Sequence, residues 1–460
     1  MRQLTGGGET GVLPSSPNPR RLGKERGNSS GGLRNRPCYR ANSLDGNGRI
    51  ERPNGQNGKE GSALRVTKIG NSKIKIVIIL TLYFGVLLFT KAVYAHEAGW
   101  WSMIDRPGDL AEYADYGTTL MLPYNGAWTP YKIPVYLDEA AQLNIKVWVD
   151  LRICPPPNPL LDETSWKKII NDNKKHPALE GWYIADEPEL SGTSPSVVSK
   201  YYNWTKEADP NHPVAIAHAN TPYEGYVNGY DVLIVDYYPG WTLYDPNLFN
   251  WMVRASYSRW KAGLEFAQLR GKKFIATGLG FGAYEDGTPN NGTRDLTYEE
   301  YRYHTFSAIV QGVDGFLFWE DDWANTRVKP RVAQMISQIH SISAEMKNGI
   351  TNDPKVTVSQ PTSKVVYRHG VNGTQHVILA VNIAGYNVSD DGETLKGVQF
   401  TLPTGIQTSQ VQVLSENRTL PVIDGVFTDN FNRFEVHAYR FSNGNSDLDP
   451  PVPPKGLKVH

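Results

Sequence analysis

The amino-acid sequence predicts an α/β fold, a (β/α)8 TIM barrel followed by a C-terminal antiparallel β-sandwich. Three observations lead to this prediction. Between Trp100 and Lys347, short and nearly continuous apolar runs alternate with amphipathic stretches, which is typical of a parallel sheet buried on both faces. Eight such runs fall within about 250 residues, as in a closed barrel. After Asn352, apolar residues recur at every second position between frequent turn residues, which indicates a β-sandwich.

Residues 1–72 form a basic N-terminal segment. They are rich in Gly, Asn, Ser and Arg and show no periodicity, so they cannot bury enough apolar surface to offset the entropy of ordering, and we predict that they are disordered. Residues 1–70 hold 13 Lys and Arg against 5 Asp and Glu, and residues 71–95 add three lysines, so the net charge of zero leaves an excess of 11 negative charges from His96 onward. This acidic body argues against nucleic acid as a partner, because phosphate binding needs clustered cations.

Residues 73–95 have the pattern of a secretory signal peptide. A positively charged flank precedes a short apolar core, and small residues stand at positions −3 and −1 from a cleavage point before His96. The apolar core is shorter than the 18 or so residues of a membrane span. The sequence therefore predicts a secreted or extracytoplasmic protein without stable membrane insertion. The alternative is an uncleaved signal that anchors the protein through residues 74–90.

The predicted barrel spans residues 96–350. Its strands are expected in GWWSMID (99–105), TTLMLPY (118–124), IKVWVDL (145–151), EGWYIADE (180–187), PVAIAHAN (213–220), DVLIVDYYP (231–239), KKFIATGLGFG (272–282) and GVDGFLFWEDD (312–322). Between them lie helix candidates, namely PVYLDEAAQLN, PSVVSKYYNWTKEAD, LFNWMVRASYSRWKAG and TYEEYRYHTFSAIVQG.

Polar residues at the C-terminal ends of these strands favour a barrel over a doubly wound open sheet. In a barrel the strand ends converge on one mouth, whereas an open sheet spreads them along an edge. The residues concerned are Asp105, Asn125, Asp150, Glu187, Asn220, Asp236 and Glu320.

The β-sandwich is predicted over residues 353–442. Its strands are expected in KVTVSQ, KVVYRHG, QHVILAVNIAG, GVQFTLP, SQVQVLSE, GVFTDNF and RFEVHAYRF. Residues 443–460 form a Pro-rich tail, typical of a linker.

The predicted fourth barrel strand ends in adjacent acids and a proline, in the stretch GWYIADEPE (181–189). This stretch resembles the fourth-strand signature of clan A glycoside hydrolases, in which the strand ends in Asn-Glu-Pro; here Asp186 replaces the Asn. Trp319 on the eighth strand and the sandwich after the barrel extend the resemblance. The resemblance implies a glycosidase with Glu187 as general acid/base, without assignment to one family of the clan.

The chemistry of these residues agrees with such a role. Glycosidic cleavage needs one carboxylic acid to protonate the leaving oxygen and a second carboxylate as nucleophile or as base for water. By strand alternation, Glu187 shares the face of Tyr183 and points along the barrel axis. The neighbouring charge of Asp186 is expected to raise the pKa of Glu187, as a general acid requires near neutral pH. Pro188 ends the strand. The alternative is an acidic loop without a catalytic role.

The second carboxylate is not where the resemblance implies. The nucleophilic Glu of the clan ends the seventh strand, but this sequence reads FIATGLGFGAYED, with Gly at that place. Glu285 follows too late, unless a loop folds it back. Asp236 on the sixth strand and Glu320 after the eighth are the better candidates. Their distance from Glu187 would decide the stereochemistry, with roughly 5 Å for retention and 6.5–9.5 Å for inversion.

Aromatic residues at the strand ends indicate a sugar ligand, because flat rings stack on the apolar faces of pyranoses while acids bind hydroxyls. Trp148 and Trp182 lie in mid-strand and are expected to be core. The residues predicted to bind substrate are Asp186, Asp150, Asn220, Tyr238, Trp319 and Trp128.

The histidines show no metal-ligand spacing, so we predict no metal site and no organic cofactor. His218 either lines the pocket or is a core residue. The sequence as a whole predicts a glycoside hydrolase that cleaves an O-glycosidic bond of a poly- or oligosaccharide, its carbohydrate partner. The alternative is a non-catalytic carbohydrate-binding protein on a glycosidase-like barrel, which the missing strand-seven Glu favours.

Overall fold

The structure is a computed structural model. It describes residues 97–102, 108–124, 132–152, 161–219, 224–240, 246–290, 293–319, 326–346, 356–385 and 392–443. The basic segment 1–72, the predicted signal peptide 73–95 and the tail beyond residue 443 lie outside these ranges. No helix within them is long and apolar enough to cross a membrane.

Eight parallel strands close into a barrel, in which each strand pairs with its neighbours in the chain and the eighth strand pairs back with the first. This closure confirms the predicted barrel and excludes the open sheet. Each predicted run overlaps one of the strands. They are β1 Glu97–Ser102, β2 Leu120–Pro123, β3 Lys146–Asp150, β4 Leu179–Asp186, β5 Val214–Ala219, β6 Val232–Asp236, β7 Lys273–Leu279 and β8 Gly315–Trp319.

Helices follow the strands and form the outer layer. Their N-termini carry the capping signals expected from sequence: the Ser194 side chain accepts from Val197 N, and Thr297 and Glu300 form a capping box. The helices are α1 Asp109–Asp115, α2 Ile133–Leu143, α3 Glu163–Asn173, α4 Pro188–Ser191, α5 Pro195–Ala208, α6 Pro246–Gln268, α7 Tyr298–Ile309 and α8 Val328–Glu345, with a 3-10 turn at Glu224–Gly229.

Side chains of the strands alternate between the barrel interior and the helix layer. On β1, Trp101 packs edge-on against Tyr183 of β4 across the interior, with ring centroids 5.4 Å apart. Its neighbour Trp100 instead contacts Tyr113 of α1. Trp100 therefore faces the helix layer and not the mouth of the barrel.

The tryptophans in mid-strand are buried, as predicted. Trp148 fills the barrel interior beside Gly181 of β4. A Cβ at Gly181 would lie 2.4 Å from the Trp148 ring and 2.6 Å from Pro213 O, so the close approach requires glycine. Trp182 faces the helix layer and donates from Nε1 to Asp209 Oδ2 at 3.0 Å.

Strand β4 contains an irregularity that alternation does not predict. Its register with β5 shifts between Tyr183 and Ala185, which inserts one extra residue. Tyr183 and Asp186 consequently lie together, and the Tyr183 hydroxyl donates to Asp186 Oδ1 at 2.8 Å. The alternation that places Glu187 on the face of Tyr183 therefore does not hold through this part of β4. Glu187 itself has a φ of 42°, which is outside strand geometry.

The C-terminal part consists of two antiparallel sheets, which confirms the predicted sandwich. The strands are β9 Thr357–Val358, β10 Val365–Asn372, β11 Gln375–Asn382, β12 Leu395–Thr401, β13 Gln410–Val413, β14 Arg418–Pro421, β15 Val426–Phe431 and β16 Val436–Ser442. One sheet has the order β10-β11-β16-β13-β14 and the other the order β15-β12-β9. The short strand β14 was not predicted, because its sequence RTLP lacks alternation and ends in proline.

Strand β11 contributes to two cores at once. Val377 and Leu379 belong to the apolar core of the barrel, and β11 contacts α7 and α8. Ile378 and Ala380, on the opposite face, belong to the separate core between the two sheets. The alternating sequence of β11 therefore joins the sandwich to the barrel.

Candidate active site

Glu187 lies at the C-terminal end of β4, just before the one-turn helix α4. Its φ of 42° is in the left-handed region, which costs an ordinary L-residue about 1 kcal/mol or more. Its N–H donates to Ala217 O of β5 at 3.0 Å, and its carbonyl accepts from Leu190 N at 3.0 Å. Pro188 begins α4 and prevents further strand pairing. The backbone of Glu187 is thus held on both sides.

The carboxyl of Glu187 is in hydrogen-bond contact with the carboxyl of Asp236, at the C-terminal end of β6. Burial raises the pKa of Glu187 well above its ordinary value, and the negative charges of Asp236 and Asp186 raise it further. Two carboxyls in contact repel each other when both are ionised, so the pair holds one proton near neutral pH.

Asp236 is the partner that ionises first. Its side chain is only 5% exposed. Burial and then the charge of Asp186 raise the pKa of Asp236, while hydrogen bonds with Glu187 and Tyr238 lower it, and the result is about 7. The hydrogen bond within the pair favours ionised Asp236 and protonated Glu187. This is the division of roles that an acid and a second carboxylate need.

Asp186 is held by three side chains. Its Oδ1 accepts from the Tyr183 hydroxyl at 2.8 Å, and its Oδ2 accepts from the Tyr124 hydroxyl at 3.0 Å and from Arg152 at 3.4 Å. These donors stabilise a buried negative charge beside Glu187.

Asp150, at the end of β3, fixes the buried Arg152. Asp150 Oδ1 accepts from both N and Nε of Arg152 at 3.0 Å, and the guanidinium lies 3.8 Å from the centroid of the Tyr124 ring. Although burial lowers the pKa of Arg152, the charges of Asp150 and Asp186 outweigh that effect and raise it. Arg152 therefore stays cationic and balances part of the negative charge of the mouth.

An aromatic wall stands next to the carboxyl pair. The Trp319 ring at the end of β8 lies 5.2 Å from the Tyr238 ring, 5.3 Å from Phe281 and 6.3 Å from Tyr124, measured between centroids. Since the Tyr238 hydroxyl also bonds Asp236, the ring surface and the acids belong to one site.

The structure brings together six of the nine site residues predicted from sequence: Glu187, Asp236, Asp186, Asp150, Tyr238 and Trp319. The other three, Glu320, Asn220 and Trp128, lie outside the described residues, and their roles stay predictions.

Two positions weighed in the sequence lie elsewhere. Glu285 is exposed and binds the backbone of Thr326 and the guanidinium of Arg327, so it does not fold back toward Glu187. His218 faces the helix layer and bonds Glu189. Gly280 follows β7, and a Cβ there would lie 2.6 Å from Trp319 O, so a glutamate cannot occupy that place without rearrangement.

Three residues of the site were missed in the sequence: Arg152, Tyr183 and Glu189. An Arg two positions after a strand-end Asp was a usable signal for Arg152. Nothing in the sequence pattern marks the contact of Tyr183 with Asp186, because it depends on the extra residue in β4.

Among the described residues, no group of three or more His, Cys, Asp or Glu side chains is arranged to hold a metal ion.

No protein-family model matches the sequence, and no curated protein matches it. Among solved structures, the chain is similar to an α-amylase from Anoxybacillus, with 11% identity and a TM-score of 0.49 over 77% of this chain and 100% of that chain. It is also similar to a GH30 endoxylanase from Clostridium papyrosolvens, with 12% identity and a TM-score of 0.44 over 77% of this chain and 98% of that chain. Similarities of this size identify neither a family nor a substrate.

Proposed function

We propose that the protein is a glycoside hydrolase that cleaves an O-glycosidic bond of a poly- or oligosaccharide. The observation that carries the proposal is the contact between Glu187 and Asp236, two buried carboxyls that hold one proton at the mouth of a barrel. A proton donor and a carboxylate side by side are the pair that glycosidic cleavage needs.

In the proposed reaction, protonated Glu187 donates its proton to the glycosidic oxygen as the bond to the leaving group breaks. Asp236, an anion that accepts a hydrogen bond from Tyr238, attacks the anomeric carbon and forms a glycosyl ester. Glu187, now ionised, then removes a proton from water, and the resulting hydroxide equivalent displaces Asp236. The sugar leaves with a new hydroxyl, and Glu187 carries the proton again.

The contact between the two carboxyls favours retention of the anomeric configuration. Inverting enzymes keep their carboxyls roughly 6.5–9.5 Å apart to hold a water between sugar and base, whereas retaining pairs are about 5 Å apart. Two carboxyls in hydrogen-bond contact are too close for the inverting spacing and agree better with the retaining one. A substrate oxygen would take the place of one carboxyl as hydrogen-bond partner of the other.

Trp319 and Tyr238 are proposed to stack on the sugar beside the acids. Both oxygens of Asp186 already accept bonds from protein side chains. We therefore assign Asp186 and Asp150 to holding Arg152 and the local charge, and any contact of theirs with substrate stays a prediction. Activity outside the cytoplasm is also a proposal, which depends on the signal-like segment 73–95.

A panel of neutral and charged glycans incubated with the full-length protein tests the function. We expect hydrolysis of at least one glycan, at least a thousandfold slower kcat for Glu187→Gln, and a dissociation constant for that glycan within about fivefold of wild type. Glu265→Gln is the matched control, because Glu265 is exposed on α6.

The second candidate function is carbohydrate binding without catalysis, which the glycine after β7 favours. Binding of a glycan with no hydrolysis by the wild-type protein would support this candidate and contradict the hydrolase. Equal hydrolysis by wild type and Glu187→Gln would contradict the assigned acid.

A further inference from the structure

Glu189 and His218 lie beside the carboxyl pair but take no part in the proposed reaction. Glu189 is on α4, two residues after Glu187, and His218 is on β5. His218 Nδ1 bonds Glu189 Oε2 at 2.6 Å, and Ala219 N donates to Glu189 Oε1 at 2.8 Å. The side chain of Glu189 is 5% exposed and that of His218 is 0% exposed. Because an ionised carboxylate only accepts, Nδ1 of His218 carries the proton of this bond.

His218 itself cannot reach a sugar in the mouth. Its ring lies on the helix side of β5, edge-on to Tyr226 at a centroid distance of 5.3 Å and to Tyr230 at 6.4 Å. The hydrogen bond of His218 to Glu189 is the contact that connects it to the residues beside the carboxyl pair.

The backbone of Glu187 needs external support. A left-handed conformation of a non-glycine residue persists only where the surrounding structure fixes it. Helix α4 has four residues and cannot be stable by itself. Glu187 N bonds Ala217 O, and Glu189 bonds Ala219 N, so the chain after β4 is tied to β5 at two successive points.

We propose that Glu189 and His218 are a positioning pair, which holds α4 on the end of β5 and thereby keeps Glu187 in its left-handed conformation against Asp236. This role rests on the proposed function of Glu187 as the acid. Two buried hydrogen bonds of the Glu189 carboxylate, one of them to an imidazole, supply the support that the strained residue lacks in its own helix.

The negative charge of Glu189 also helps to keep Glu187 protonated. Burial, Asp236 and Asp186 are the larger causes of the raised pKa of Glu187, and the negative charge of Glu189 adds to them. Glu189 also raises the pKa of Asp236, where Tyr238 and Glu187 act against it. Glu189 thus supports the proposed acid in two ways: its hydrogen bonds hold the backbone conformation of Glu187, and its negative charge raises the pKa of Glu187.

Infrared difference spectroscopy of the full-length protein against pH tests the pair, because a protonated buried carboxyl has a separate C=O stretching band. The band that Glu187→Gln removes reports on Glu187. In Glu189→Gln, which keeps an acceptor for Ala219 N but loses the charge, we expect the pKa of this band to fall by about half a unit. In Glu189→Ala, which loses both bonds, we expect a fall of about one unit or more.

His218 offers a pair of matched variants. His218→Gln retains an N–H that can donate to Glu189, so the band should titrate close to wild type in this variant. His218→Leu removes the bond to the imidazole but keeps the charge of Glu189 and its bond to Ala219 N, so the pKa of the band should fall by less than in Glu189→Ala. Glu265→Gln, on the exposed face of α6, should leave the band unchanged. If Glu189→Ala does not fold, Glu189→Gln and the His218 variants still carry the test.

If the C=O band of Glu187 had the wild-type pKa in both Glu189→Gln and His218→Leu, the positioning role would be overturned. Activity separates this result from a failure of the proposed function. A shifted band in a protein that hydrolyses no glycan would contradict the hydrolase while supporting the positioning role. On a hydrolysed glycan, Glu189→Ala should lower kcat about tenfold or more with KM changed less than about threefold, and a change in KM alone would contradict the proposal.

Discussion

Glu187 and Asp236 keep one proton between them because the barrel mouth removes both carboxyls from water. In an unfolded chain both ionise near pH 4, whereas in the fold burial and neighbouring charges raise the pKa of Glu187 well above its ordinary value and that of Asp236 to about 7. The folded state therefore binds more protons than the unfolded state from about pH 4 upward. The free energy of unfolding consequently falls as the pH rises through about 7.

Asp236→Asn should remove the part of this dependence that Asp236 itself contributes. At pH 8 we expect the free energy of unfolding of the variant to exceed that of wild type by about 2–4 kcal/mol, and near pH 4 we expect the two to be similar. Urea denaturation at both pH values measures the difference. Asp172→Asn, an exposed change on α3, should stay within about 0.5 kcal/mol of wild type at either pH. An equal difference at pH 4 and pH 8 would contradict the raised pKa.

Among the elements, β4 can pack closely against its neighbours only because residue 181 is a glycine. A Cβ at Gly181 would lie 2.4 Å from the Trp148 ring and 2.6 Å from Pro213 O. Gly181→Ala should therefore lower the free energy of unfolding by about 2–3 kcal/mol, because neither the ring nor the backbone has room to move.

Gly225→Ala is the matched control, since its nearest neighbour is a Pro195 ring carbon at 3.2 Å. We expect it to cost less than about 1 kcal/mol in the same denaturation experiment. Equal denaturation midpoints for Gly181→Ala and wild type would show that the Trp148 ring and Pro213 O leave room for a Cβ at position 181.

Strand β16 carries a buried charge with its own pH dependence. Burial lowers the pKa of His437, but hydrogen bonds with Glu416 and Glu435 and the charges of Glu416 and Asp429 outweigh it and raise the pKa to about 9. A raised histidine pKa contributes stability that is fully present below about pH 6.5 and is lost as the pH rises through about 9.

His437→Gln should accordingly lower the free energy of unfolding by about 2–3 kcal/mol at pH 6 and by clearly less at pH 9.5. Thermal or urea unfolding at the two pH values measures this. His176→Gln, whose partner Asp138 is exposed, should change stability by less than about 1 kcal/mol. A loss that is the same at both pH values would mean that His437 is neutral in the fold.

The positions of the elements could be predicted from sequence because buried strands need apolar residues, and eight apolar runs between amphipathic segments admit few arrangements. The direction of single side chains could not. One extra residue in β4 puts Asp186 beside Tyr183, and no sequence pattern indicates where this extra residue lies. The bond between Glu189 and His218 joins residues 29 positions apart and depends on how α4 packs on β5.

In the molecule as a whole, barrel and sandwich share an apolar core and a charge contact. Leu379 of β11 is fully buried in the barrel core, and Arg302 of α7 lies 3.7 Å from Glu416 of the sandwich. The barrel and sandwich are therefore expected to unfold in one transition.

Leu379→Ala should lower the free energy of unfolding of that single transition by about 2–5 kcal/mol, because it leaves a cavity between the sandwich and the barrel. Ile423→Ala, at a 69% exposed position, should have little effect. Calorimetry of the full-length protein measures both. Two separate transitions, of which Leu379→Ala shifts only one, would contradict the shared core.

Covalent trapping is the measurement that bears most directly on Asp236 as the nucleophile paired with Glu187. A 2-deoxy-2-fluoro glycosyl fluoride of the sugar that the protein releases should form a glycosyl ester faster than the ester is hydrolysed. Mass spectrometry of the digested protein is expected to find one fluoroglycosyl group on the peptide with Asp236, and none in Asp236→Asn. A label on Glu320, or continued hydrolysis of natural glycan with no label anywhere, would contradict the assignment.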